Sequence, residues 1–199
     1  MKTACWTVGR LDAKNERTCI KKLESMITTK ITITPYLAEY MLGKYNNGAD
    51  EALKIPDNSD LYHLIWQLMA KRPKDCTGVD TGNLELILPC RREGKNPQYY
   101  NYLSERSSRM IEYRIKQEFN EELHSMISDN AERGREYLDL EVVNLFMCNY
   151  CIESVTEDAL LKNHQRWKEN IRKMRVRRNY KKKLNFQEKN TDQTSRFVR

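Results

Sequence analysis

Between residues 100 and 127 the apolar side chains keep to one stripe: Tyr100, Leu103, Met110, Ile111, Ile115, Phe119, Leu123, Met126 and Ile127, with charges opposite. Steps of three, four and seven residues suit a helix and no strand. The stripe persists for about eight turns, and Asn96-Pro97 is its expected start. A helix of about 30 residues either spans its domain or supplies half of a dimer interface. Any fold for this chain must be arranged around that rod.

The rest of the pattern agrees with a mainly α architecture. Seven Gly and five Pro are too few for a loop-rich β protein. A first helix is expected over Asn15 to Thr28 from Cys19, Ile20, Leu23, Met26 and Ile27. Thr34 before Pro35 is an N-cap followed by proline at the first helical position, opening a helix that ends near Gly43 to Gly48. Asp57 to Asp60 supply caps for another across Leu61, Leu64, Ile65, Leu68 and Met69, closed by Pro73. Ala52 to Pro56 and Leu84 to Pro89 read as short strands, each stopped by proline, that pair as a small ribbon. Helices must cover one face of so small a ribbon. The polar stretch Ser128 to Arg135 breaks the long helix, and further helices follow over Tyr137 to Tyr150 and from Ser154–Thr156 onward.

The expected organisation is a helical body with a ribbon at 1–135, a helix-turn-helix-like hairpin with a basic helix at 136–183, and a disordered tail at 184–199, where Gln, Asn, Thr and Ser dominate. No stretch approaches the ~20 apolar residues of a membrane span. Met1 to Trp6 lack the apolar run of an export signal. Six scattered cysteines do not form a disulfide framework. A cytoplasmic chain with reduced thiols, binding no membrane, is the expectation.

Charge is the functional signal. The chain carries +7, but Lys162 to Lys183 hold eleven Lys or Arg against the single acid Glu169, a local +10. Residues 1–161 carry −4 and the last sixteen +1. Segregation of this kind points to a polyanionic partner, where evenly spread charge would indicate solubility alone.

The hairpin before the basic run has its own signature. An apolar helix ends at Tyr150-Cys151, Ile152 can plug the bend, and Ser154 with Glu157 fits a capping box, with Thr156 as a rival cap. The next helix would bury Leu160, Leu161, Trp167, Ile171 and Met174. Helix, short turn with a buried aliphatic, capped helix is the pattern of a helix-turn-helix, whose second helix enters a major groove. Lys162, Asn163, Arg166 and Asn170 are then the groove-facing residues. Lys168, Arg172, Lys173, Arg175, Arg177, Arg178, Lys181, Lys182 and Lys183 extend the contact along the phosphates. Glu157 and Asp158 suit the start of a helix dipole but repel phosphates, which moves recognition to Lys162 and beyond. A plain helical hairpin closing the domain fits the same residues.

Tyr36-Leu37-Ala38-Glu39-Tyr40, followed by Leu53-Lys54-Ile55-Pro56, resembles the Mor-type transcription activators of transposable phages. The resemblance implies a dimerisation half built from a helix and a short strand, with a C-terminal helix-turn-helix that binds DNA. In that family strand and helix-turn-helix follow closely, whereas here a second strand and the long helix intervene. The whole chain also looks like proteins from phages and conjugative elements of Bacteroidetes.

Rival chemistries find less support. Cys148 and Cys151 have C-x2-C spacing, but structural zinc needs four ligands, and Cys76, Cys90, His63, His124 and His164 are scattered. Free cysteines are common core residues, and Cys148 falls on an apolar helix. Asp57 with Glu93 and Lys95 echoes a metal nuclease, yet Glu93-Gly94-Lys95 reads as a loop. No phosphate loop or nucleophile motif is present. Tyr99, Tyr100 and Tyr102 could stack on bases or sit at the edge of a core. The expectation is a non-catalytic DNA-binding regulator of a phage or mobile element, without cofactor or metal, able to form a homodimer. The alternative is a non-catalytic helical subunit of a replication or transposition assembly with a non-specific nucleic-acid-binding tail.

Overall fold

The computed structural model describes residues 27–45, 52–74, 81–91 and 93–196, with side chains as far as Lys182. Its described elements are β1 (Thr28–Ile31), α1 (Pro35–Tyr45), α2 (Asp60–Leu68), β2 (Leu84–Ile87), α3 (Glu105–Glu132), α4 (Asp139–Tyr150) and α5 (Glu157–Arg196). The fold is mainly α with a small antiparallel sheet, as the patterning predicts. Two compact units divide the chain, Met1–Gln117 and Glu118–Arg199.

In the first unit the ribbon is antiparallel, with Thr28 opposite Ile87 and Ile31 opposite Leu84. Strict alternation turns Thr29, Ile31, Leu84 and Leu86 inward. Lys30 and Glu85 pair on the outer face at 3.5 Å. The ribbon's composition differs from the sequence expectation. Of the residues expected to close the first helix, Thr28 instead opens β1 and Ile27 precedes it, accepting from Leu88; the rest of that helix lies outside the described residues. The expected strand at Ala52 to Pro56 contributes one parallel bridge, Leu53 to Leu86. There Leu53 donates to the Glu85 carbonyl at 2.8 Å and accepts from Ile87 at 3.0 Å. Pro56 supplies no donor, which limits that pairing. Gly82 packs so closely on β1 that a Cβ would stand 2.3 Å from the Ile31 carbonyl oxygen.

The two short helices start where their caps predict. Thr34 accepts from the amides of Leu37 and Ala38 at the head of α1, and its own N–H donates to Glu112 at 3.0 Å. Ser59 accepts from the Tyr62 amide at 3.1 Å to cap α2. The carbonyls at the end of α2 are satisfied by an ammonium: Lys95 donates to Gln67 at 2.5 Å and to Met69 at 2.6 Å. Gly94, at φ +100, lies against Trp66, and the Arg91 guanidinium stacks 4.5 Å above that indole. Arg91, Gly94 and Lys95 thus pack against α2, and the Glu93–Lys95 segment serves packing.

The long helix begins at Glu105, later than Asn96-Pro97 predicts. Asn96 spends its side chain and carbonyl on a local turn, accepting from Gln98 and from Tyr99 and Tyr100. Tyr102 pairs its backbone with Ala70 in both directions, which holds the chain extended. Ser104 then caps α3 by accepting from Ser107 at 3.2 Å. Along α3, Ile111, Ile115, Phe119, Leu123 and Ile127 are buried to within 1% of full coverage by this single chain. That stripe is therefore not left over for a second copy. Met110 departs from it and is exposed. The helix runs through the predicted break to Glu132, because Asn130 holds both backbone groups of Tyr137 and Gly134 with Arg135 supplies the positive-φ turn.

Candidate nucleic-acid interface

The second unit is organised by the C-terminal half of α3, α4 and α5. Val142, Val143 and Phe146 give α4 a buried face, and the Phe119 and Phe146 rings meet edge to face at 5.3 Å. The turn between α4 and α5 is a Schellman closure. Cys151 sits in the left-handed region at φ 51, ψ 48, where glycine is usual. Its amide donates to Cys148, and Ile152 reaches back to Met147 at 2.9 Å. Ile152 is buried, as a plug at the bend should be. Thr156 occupies the cap of α5, its carbonyl accepting from Ala159 and Leu160. With its amide nitrogen turned to Glu157, Asn144 donates to that carboxylate and engages the first acid of α5.

The inner side of α5 is narrower than hydrophobic spacing predicts. Leu160 is buried, Leu161, Trp167 and Ile171 are half-buried, and Met174 is exposed. His164, which spacing alone offers only as a scattered metal ligand, fills the gap. His164 and His124 are both buried, with their Nδ1 atoms 3.1 Å apart. The Trp167 indole stacks on His124 at 4.4 Å and on His164 at 5.4 Å. Burial, and then the neighbouring His164 ring, push the His124 imidazole down to about 4. Burial also lowers His164, assisted by Lys168 and opposed by Asp139. One N–H donating to one bare nitrogen requires the accepting ring to be neutral and excludes two charged rings. The available signal was positional: His164 follows Leu160 by four residues, and His124 adjoins buried Leu123.

The predicted contact residues divide into two groups. Lys162, Arg166, Lys168 and Asn170 are exposed on α5. Arg172, Lys173, Arg175, Arg177, Arg178, Lys181 and Lys182 are exposed as well. Asn163 does not join them. It is half-buried and donates to Asn120 at 2.7 Å, so it ties α5 to α3 rather than facing a groove. Glu169 pairs with Lys173 at 3.7 Å one turn on. The Lys183 side chain lies outside the described residues. α5 continues helical to Arg196, through residues whose composition predicts disorder; no Gly or Pro interrupts 157–196.

Cys148 and Cys151 are both exposed, which corrects the expectation that Cys148 is a core residue. Among the described residues no three His, Cys, Asp or Glu side chains gather as a metal cluster. Among them, too, no helix is long and apolar enough to cross a membrane. No family model, curated protein or solved structure matches the chain.

Proposed function

We propose that the chain is a non-catalytic DNA-binding protein, holding double-stranded DNA on α5 with the α4–α5 hairpin as its support. One observation carries the reading: the +10 segment lies along a single helix whose basic side chains, from Lys162 to Lys182, all face solvent. Such a row releases counterions from a phosphate array without first breaking internal ion-pair networks. The buried histidine pair and Asn163 anchor the root of that helix, so the charges are presented from a packed base. The resemblance of Tyr36–Tyr40 and Leu53–Pro56 to Mor-type activators supports a regulatory role in a phage or mobile element. A second reading, a helical subunit holding nucleic acid without sequence preference, is favoured by the inward turn of Asn163, which leaves fewer base-reading groups near the hairpin.

Fluorescence anisotropy on duplex DNA over a salt series tests the proposal, with the full chain beside an Arg172→Gln/Arg175→Gln/Arg178→Gln variant. The wild type should weaken log-linearly with salt, and the variant's slope should be shallower by about 0.9 for each phosphate it no longer neutralises. No binding by the wild type at low salt would sink the proposal. Retention of an affinity gap between a selected site and random duplex as salt rises marks the regulator. Loss of both together marks the non-specific holder.

A further inference from the structure

Beyond the hairpin, α5 is arranged in a way that attraction to a generic polyanion does not require. Successive residues on an α-helix advance by about 100°. Leu160, His164, Trp167 and Ile171 define the inner side of α5. Opposite them stand Val176 and Tyr180, one turn apart, each 64% exposed. An aliphatic and an aromatic side chain thus stand mostly exposed on a basic helix.

Their flanks are matched. Taking the Val176–Tyr180 direction as centre, Lys173, Arg177 and Lys181 fall about 40–120° to one side, and Arg172, Arg175 and Lys182 about 60–140° to the other; Arg178 falls about 180° away, and Glu169 lies on the centre line two turns before Val176. Lys173 and Arg177 on one flank and Arg172 on the other therefore reach forward beside the apolar centre, with Lys181, Arg175 and Lys182 set further back on the same flanks. A helix lying on one phosphate row needs cations on one side only. Two cationic flanks about an apolar centre fit a trough with an anionic wall on each side and a partly apolar floor.

The major groove of B-form DNA has that form. It is about 12 Å wide, and a helix with its side chains measures about 10–12 Å across. Phosphates line both walls, and the thymine C5-methyl is the apolar feature of the floor. A-form RNA presents a major groove too narrow for side chains to read. A single strand offers no second wall.

We infer that α5 seats its Val176–Tyr180 face in the major groove of B-form DNA, its two basic flanks gripping opposite phosphate walls and the two apolar side chains meeting thymine methyls. This rests on the DNA-binding reading and extends it by naming the groove, the floor residues and a base feature they touch.

The test uses the full chain and four probes of one A·T-rich sequence: the DNA duplex, the duplex with uracil replacing thymine, the single DNA strand and the RNA duplex. The DNA duplex should bind at least about tenfold tighter than the strand or the RNA duplex. Uracil should weaken binding by about fourfold per methyl touched. A Val176→Ala/Tyr180→Ala variant should bind the thymine and uracil duplexes equally, with an unchanged salt slope. Both side chains are exposed, and circular dichroism of the variant checks that the helix persists. Equal affinity for the strand or the RNA duplex overturns the inference, and so does a wild type indifferent to uracil. Failure to bind any of the four probes overturns the DNA-binding reading beneath it as well.

Discussion

Cys151 closes α4 in a conformation that disfavours any side chain with a Cβ, at a cost of about 1 kcal/mol. Its thiol is exposed, so little packing compensates. Cys151→Gly should therefore stabilise the second unit, raising Tm by several degrees, of the order of 4–8 °C per kcal/mol for a domain of this size. A thermal melt that falls instead would show that the closure depends on the cysteine side chain. The histidine pair sets a second dependence at this scale. A base whose folded pKa is lowered binds more protons when unfolded, so its stability contribution is complete above the unfolded value near 6.5 and declines as pH falls toward about 4. The shift of His124 bounds the loss at roughly 3 kcal/mol. Melting should become easier from pH 6.5 downward, before most carboxylates titrate. A His124→Gln variant should show a weaker dependence between pH 6.5 and 5, the remainder coming from buried His164, while keeping the later acid transition.

Among the elements, α5 combines two opposing tendencies. Its sequence has no helix breaker, yet Arg172–Arg175, Lys173–Arg177, Arg175–Arg178 and Arg178–Lys182 are like-charge neighbours on the helix surface. Each such pair costs about 0.2–0.5 kcal/mol at low salt. At about 1 M salt the screening length contracts to about 3 Å and the repulsion largely disappears. Far-UV circular dichroism of the full chain should therefore gain helical signal on adding salt, and also on adding duplex DNA. A signal unchanged by both would mean that the basic stretch is held by something other than its charge balance. The elements also show where spacing rules reach their limit. The head of α1 was legible from Thr34-Pro35, that of α2 from the Asp57–Asp60 run, and the bend at Ile152 from one aliphatic between two helices. The start of α3 was not, because Tyr102 is held extended by Ala70, a residue 32 positions away. Nor was β1, whose residues pair with Leu84–Ile87. Ile27 and Thr28 carry apolar and polar character that fits either a helix end or a strand start.

For the whole molecule, charge and packing are divided along the chain. Residues 1–161 carry −4 and Lys162 to Lys183 carry +10. The apolar stripe of α3 is consumed within the chain, with Ile111 and Ile115 in the first unit and Phe119, Leu123 and Ile127 in the second. The candidate interface was legible as a series of cations, since a helix segment with cations on so many of its faces cannot be buried and must face solvent. Its correction came at Asn163, whose amide hydrogen-bonds Asn120, 43 residues away in the sequence.

The sequence by itself determined the mainly helical class, the caps of the short helices, the inward face of α3 and the place of the charge. These depend on near neighbours: side-chain periodicity, an oxygen at a cap, a proline at a first turn, like charges crowded on one helix. The tertiary structure decided which strand pairs with Leu84–Ile87, where α3 begins, that His124 meets His164, and that Asn163 turns inward. Each of those joins residues far apart in the chain, and local spacing carries no information about which distant group will satisfy a given hydrogen bond.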